Sequence, residues 1–202
     1  MQAGPDSLAI KRFSKLLEDR ACVYWLENEL AAVLPSRKTR PDFFAQTANG
    51  IRLLVEVESF EKDRFALLAL RQNRVMSGLS DSDDRRLCNG IQRASKQLKY
   101  YRDLGFPTLV VLDDFRQVGM PTNSEILGLS LLSYLEKGNK SHISSIAWLL
   151  GHSGGPFHLR IFHNPRSLVP LPMEVFHTQV DEHWYHSPGK FWKREVNGNG
   201  TY

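Results

Sequence analysis

Cysteine is scarce in this chain: Cys22 and Cys88 are the only two among 202 residues. Two thiols cannot frame a disulfide scaffold or a four-cysteine metal site, and so few cysteines point to a reducing compartment. No stretch approaches the ~20 consecutive apolar residues that cross a bilayer, so no membrane association is expected. The opening MQAGPDSLAIKRF lacks the apolar core of a secretory leader, which makes a cytoplasmic location the expectation. Internal repeats and low-complexity tracts are absent too, and with them solenoid and collagen-like architectures. There is no Walker loop, no dinucleotide-binding glycine fingerprint and no H-E-x-x-H zinc signature.

What is present suits one ordinary soluble domain. Hydrophobic residues make up 42% and charged residues 24%, enough apolar material for a packed core. The net charge is +4, from 26 Lys+Arg against 22 Asp+Glu, with a pI near 9.1. That balance admits a nucleic-acid partner without requiring one, because the cations are dispersed apart from clusters at 37–40 and 190–194. The expected organisation is a single α/β domain over residues 1–180 and an irregular or flexible tail over 181–202.

Apolar spacing predicts a helix through Leu8, Phe13, Leu16 and Leu17, and a second through Val23, Leu26, Leu30, Val33 and Leu34, closed by Pro35. The period then changes. Asp42–Thr47 and Ile51–Phe60 read as two strands of a hairpin around the Asn49-Gly50 turn signal. Residues 61–79 read as an irregular helix and 80–86 as a polar loop. A helix from Leu87 to Leu104 stops at Gly105 and Pro107, and Thr108–Leu112 is a buried strand. A helix over 124–137 and strands over 143–150 and 157–162 complete a mixed-sheet α/β layered domain.

The chemistry concentrates in Pro41-Asp42, thirteen intervening residues, and Glu56-Val57-Glu58. Glu56 and Glu58 share a strand face by period-two alternation. Carboxylates among Leu53, Leu54, Val55 and Val57 are costly unless solvated, paired or bound to metal. Two readings follow: a solvated face of an edge strand, or convergence with Asp42 on a hard cation such as Mg²⁺, which takes a few carboxylates plus water and phosphate oxygens.

Pro41-Asp42 … Glu56-Val57-Glu58 resembles the signature of the PD-(D/E)XK nuclease superfamily, and the order of elements over about residues 22–115 is similar to that family's core. The resemblance implies a restriction-endonuclease-like three-layer fold, a mixed β-sheet flanked by helices. It implies Mg²⁺ or Mn²⁺ as cofactor, held by Asp42 and Glu56, and phosphodiester hydrolysis of nucleic acid, DNA favoured. It also implies that a homodimer is open to the chain, since compact nucleases of this kind often dimerise. The family places lysine where this chain has Glu58. That departure leaves two options: Glu58 as a third ligand that helps position water, or a non-catalytic module for nucleic-acid binding or protein assembly. A lysine displaced onto the following helix is not supported, because Lys96 and Lys99 fall opposite its apolar face.

On that helix Gln97 and Tyr101 match the glutamine-x-x-x-tyrosine motif of the family's exonuclease-like branch. The resemblance implies that Gln97 orients water or phosphate with Tyr101 bracing it; the plain alternative is an amphipathic helix with Tyr101 in the core and Gln97 at its rim. Glu27, on the expected helix before the hairpin, is a further metal-ligating candidate whose default is a solvated glutamate. The seven histidines, all from His142 onward, read as surface residues. Lys190-Phe-Trp-Lys-Arg194 mixes cations with aromatics as single-strand-binding surfaces do, although short tails also have this composition.

Overall fold

Helix α1 (Pro5–Asp19) starts on a proline, whose missing N–H costs nothing at that position, and buries Ala9, Phe13, Leu16 and Leu17 at helical spacing. The structure, a computed structural model, describes residues 5–59, 81–113, 124–151, 156–176, 181–187 and 190–196. The second helix expected over Val23–Leu34 is replaced by strand β1 (Val23–Leu26), a turn and a 3₁₀ segment at Leu30–Ala32. Val23, Tyr24 and Trp25 are β-branched or aromatic, and strand pairing overrides a helical spacing supported by so few residues.

Strands β2 (Phe43–Gln46) and β3 (Arg52–Ser59) form the expected hairpin, with Phe43 opposite Val55. Its turn closes through Gly50 N–H to Thr47 O at 2.9 Å, and Gly50 sits at φ +83°, where a side chain would be strained. Helix α2 (Asp81–Leu98) begins within the segment expected to be a loop. The acid-rich start SDSDDRR reads as polar connection, yet acids suit a helix's first turn. The helix tightens into a 3₁₀ segment, Lys99–Leu104, and stops at Gly105 with φ +70°. Strand β4 (Thr108–Asp113), helix α3 (Ser124–Lys137) and strands β5 (Ser145–Leu150) and β6 (His158–His163) follow in the expected order. The irregular tail expected from residue 181 instead supplies β7 (Glu182–Ser187) and β8 (Lys190–Val196). The helix expected over 61–79 lies outside the described residues.

The eight strands among the described residues form one sheet in sequence order. The pairs β3–β4, β4–β5 and β6–β7 are parallel and the others antiparallel, so the sheet is mixed. Alternation along β3 divides the core. Leu53, Val55 and Val57 pack with α1 on one face, while Leu54 packs with Leu87, Ile91, Ala94, Leu98 and Tyr101 of α2 and its extension on the other. Leu131, Leu132 and Leu135 of α3 join that second face. The result is three layers, α1, sheet, and α2 with α3. Each fully buried Leu or Phe contributes roughly 1.5–3 kcal/mol to holding them together. Period two then dictates that Glu56 and Glu58 point to the same face as Leu54, beneath α2.

Candidate active site

Strand β3 is interior, hydrogen-bonded to β2 on one side and β4 on the other. Glu56 therefore has no route to solvent along an edge and is 3% exposed, which removes the solvated-edge reading. Its Oε2 accepts the Asp42 N–H at 3.2 Å and its Oε1 accepts the side-chain amide of Gln97. Among the described residues neither partner is a cation. Burial is the largest cause of a pKa pushed up to about 10, with the Asp42 charge next and Glu58 and Glu27 adding to it, while the Asp42 N–H bond opposes the shift. A proton is thus trapped where a carboxylate would ordinarily be ionised.

The register explains how these acids meet. Leu26 pairs with Phe43 and Phe43 with Val55, so one further step places Glu27, Asp42 and Glu56 in one row across three strands. Asp42 is pinned there: its Oδ2 accepts the Val57 N–H at 2.8 Å while its own N–H is held by Glu56. Glu27 stands on the exposed turn after β1, not on a helix, and reaches Glu56 only through its charge. Glu58 lies further along β3 and is ion-paired to Arg93 of α2 at 2.5 Å.

One face of α2 reads out this row. Gly90 faces Glu58, where a Cβ would make an ordinary contact 3.6 Å from its Oε2. Arg93 pairs with Glu58, Gln97 holds Glu56, and the Tyr101 hydroxyl donates to Thr39 O at 2.8 Å. Gln97 also donates to Arg40 O at 3.4 Å. Gln97 and Tyr101 thereby fasten the 39–42 segment and Glu56 together; Tyr101 is buried and braces the chain before Asp42, not Gln97. Burial raises the Tyr101 pKa, so its hydroxyl stays a donor. Lys96 and Lys99 are exposed, as their helical positions predict, and among the described residues the helix cation that pairs with Glu58 is Arg93. Arg93 is four residues before Gln97, and that i, i+4 relation on the helix is the signal that could have found it.

Asp42, Glu56, Gln97, Glu58 and Tyr101 are thus gathered beneath one helix, with Glu27 at the rim. Among the described residues no three His, Cys, Asp or Glu side chains form a ready-made metal cage. Mg²⁺, however, is commonly held by one or two carboxylates with water and phosphate oxygens completing its shell. The Asp42–Glu56 pair fits that donor set, and a buried carboxyl with no cationic partner among the described residues is the feature such an ion would relieve.

His163 and His183 depart from the surface expectation, and His152 and His177 lie outside the described residues. His163 Nε2 and His183 Nδ1 lie 2.9 Å apart in the interior, Ser145 Oγ is 3.2 Å from His163 Nδ1, and Tyr185 stacks on His163 with ring centroids 4.2 Å apart. Burial, then the neighbouring His183, lowers the His163 pKa to about 3. Lys190–Arg194 belongs to β8, a paired strand and not a loose tail.

No family model matches the chain, and no curated protein matches it. Among solved structures it is similar to SfsA of Pyrococcus furiosus, determined in complex with Ca²⁺, with a TM-score of 0.39 and 15% identity. The match spans 78% of this chain and 64% of the SfsA chain. Among the described residues no helix is long and apolar enough to cross a membrane.

Proposed function

We propose that the protein is a metal-dependent nuclease of PD-(D/E)XK type, hydrolysing phosphodiester bonds of nucleic acid, DNA favoured. The observation that carries this reading is Glu56, buried beside Asp42 and held by Gln97, with no cation against it among the described residues. Residues chosen from separate sequence segments converge there, and a structural role explains poorly why an interior strand keeps a carboxyl at such cost. Asp42 and Glu56 would hold Mg²⁺ or Mn²⁺, which when bound supplies Lewis acidity and a more acidic water. The chain's own contribution is positioning. The Val57 N–H fixes the Asp42 carboxylate, Gln97 fixes that of Glu56, and Tyr101 holds the backbone leading into Asp42. Arg93 supplies, from the helix, positive charge beside the strand position where the family carries lysine, and neutralises Glu58. Glu27 adds negative charge near the pair, strengthening its demand for a cation.

The second reading, a non-catalytic module on the same fold, draws on the same ion pair: with Glu58 engaged by Arg93, the third carboxylate is committed to structure. Labelled single- and double-stranded DNA and RNA incubated with Mg²⁺ or Mn²⁺ distinguish the two. Cleavage that requires metal and is lost in Glu56→Gln and Asp42→Asn is the expected result. Folded wild type that cuts none of the four substrates refutes the nuclease reading and leaves the module.

A further inference from the structure

The opposite flank of α2 and its 3₁₀ extension carries a feature that the acidic row does not use. Lys96, Lys99 and Arg102 project there and meet Lys140 and His142 from the loop after α3, around a cleft of about 320 Å³. Among the described residues no carboxylate lines it. Lys140 is not a loose surface side chain: its ammonium lies 5.3 Å from the Tyr134 ring centroid, and its stem folds over Gly138, where a Cβ would come within 2.8 Å. His142 is half-buried, its Nε2 2.9 Å from Ser95 Oγ and 3.0 Å from Ser95 O.

The cations are close enough to disturb one another. Burial lowers the Lys140 pKa, and Lys99 and Lys96 push it further down; burial likewise lowers that of His142, with Lys140, Lys99 and Arg102 adding to the effect. Such mutual repulsion marks a positive field that no described residue offsets with a counter-charge, which is what an anion would supply.

A second, wider cleft of about 730 Å³ continues from Lys96, Lys99 and Arg102 past Tyr100 to Thr39. The one acid among its described lining residues, Asp103, is already paired with Arg37 at 2.7 Å. Tyr100 is 43% exposed, although it neighbours the buried Tyr101, so an aromatic ring stands open beside the cations. Thr39 is the residue whose carbonyl Tyr101 holds, three positions before Asp42. The basic cleft therefore runs to the approach of the acidic row.

Regularly placed cations with an open aromatic ring are the recognition elements of an unpaired nucleic-acid strand: phosphates take the charges and a base takes the ring. A duplex keeps its bases stacked and offers nothing to Tyr100. We infer that a single-stranded segment of nucleic acid lies along this cleft, with phosphates on Lys96, Lys99, Arg102 and Lys140 and a base on Tyr100, and leads toward Asp42. The direction of the strand rests on the hydrolytic reading of Asp42 and Glu56; its binding does not.

The test is fluorescence anisotropy of a short labelled oligothymidylate, the duplex of equal length and an abasic strand of equal length, with EDTA present so that cleavage plays no part. The single strand is expected to bind most tightly. With four phosphates engaged, the slope of log affinity against log salt is expected near −2.8, about −0.7 for each. Lys96→Ala/Lys99→Ala/Arg102→Ala should flatten that slope by about 2. Tyr100→Ala should weaken the oligothymidylate roughly tenfold, leave the slope unchanged and have no effect on the abasic strand, while Tyr100→Phe restores binding. All four positions are exposed, and a thermal melt confirms that each variant is folded.

An unchanged salt slope in the triple variant overturns the proposal. So does equal binding of duplex and single strand, or indifference to Tyr100→Ala, which would reduce the cleft to a site for isolated phosphate groups. Wild type that binds as predicted but never cleaves refutes the hydrolytic reading alone. Cleavage left intact by cleft variants that also bind normally refutes the strand path alone.

Discussion

Glu56→Gln should make the metal-free protein more stable at neutral pH, although it removes a buried hydrogen-bonding group. The folded-state pKa of Glu56 is about 10 against an ordinary 4.5. Between those values the unfolded chain has released a proton that the folded chain retains, so the wild type loses stability as pH rises from about 4.5. At pH 7 the difference of about 2.5 pH units, at 1.36 kcal/mol each, amounts to about 3 kcal/mol. Glutamine never pays it. The amide has a cost of its own, because Glu56 receives two N–H donors and glutamine offers a single acceptor oxygen. Gln97 must rotate its amide to compensate, surrendering its long contact with Arg40 O, at a cost of about 1 kcal/mol. The net gain is about 2 kcal/mol, or roughly 4–8 °C in Tm for a chain of this size. Melts of both proteins in EDTA at pH 5 and pH 7 test it. The variant should be equal to or slightly below wild type at pH 5 and above it at pH 7. Parallel behaviour across that range, or a variant less stable at pH 7, refutes the reasoning.

Gly90→Ala places a methyl 3.6 Å from Glu58 Oε2, an ordinary contact, and removes a helix-interior glycine, so Tm should rise by up to about 1 kcal/mol equivalent; a fall would show that α2 and Glu58 are packed too tightly. His163 has its pKa lowered to about 3, so the unfolded chain takes up a proton below about 6.5 that the folded chain refuses, and stability falls as pH drops. His163→Phe should be less stable at pH 7 through its lost hydrogen bonds. Between pH 7 and pH 5, however, it should lose about 2 kcal/mol less than wild type, and an equal loss in denaturant titrations would contradict this. Arg20 grips the fully buried Asp181 through two bonds of 2.7 and 2.8 Å, and Arg20→Leu removes its guanidinium while the Leu159 N–H bond remains. A loss of about 3–5 kcal/mol in chemical unfolding is expected, and a change under 1 kcal/mol would contradict it.

The sequence was most legible where one period runs uninterrupted. β3 alternates cleanly, so Leu54, Glu56 and Glu58 could be assigned to one face before the helix covering them was known. Leu87, Ile91, Ala94, Leu98 and Tyr101 likewise mark the buried face of α2, which places Gln97 at its margin. Short segments misled. Val23 and Leu26 fit the helical spacing of Leu30, Val33 and Leu34, but Val-Tyr-Trp-Leu belongs to a sheet edge, and only pairing with β2 reveals it. The error moved Glu27 from the end of a strand row to a helix. The tail from residue 181 reads as irregular, whereas it supplies two paired strands, β7 and β8. His163 gave no signal of its own: its burial follows from falling two residues after Ile161 on β6, an inward position that a histidine fills through a partner, His183, twenty residues away. Arg93 was hidden for a different reason. A salt bridge to a glutamate thirty-five residues earlier is a tertiary fact, and the helix alone says only that Arg93 shares a side with Gln97.

The cation centre itself is tested most directly by calorimetric titration of Mn²⁺ into wild type and Glu56→Gln at pH 7, repeated in two buffers of different ionisation enthalpy. Because Glu56 holds a proton that it must surrender to ligate, wild type should bind Mn²⁺ with release of about one proton per ion, and Glu56→Gln should bind weakly without it. Tight binding with no proton release, or equal binding by both proteins, would contradict the assignment of Asp42 and Glu56 as the metal site.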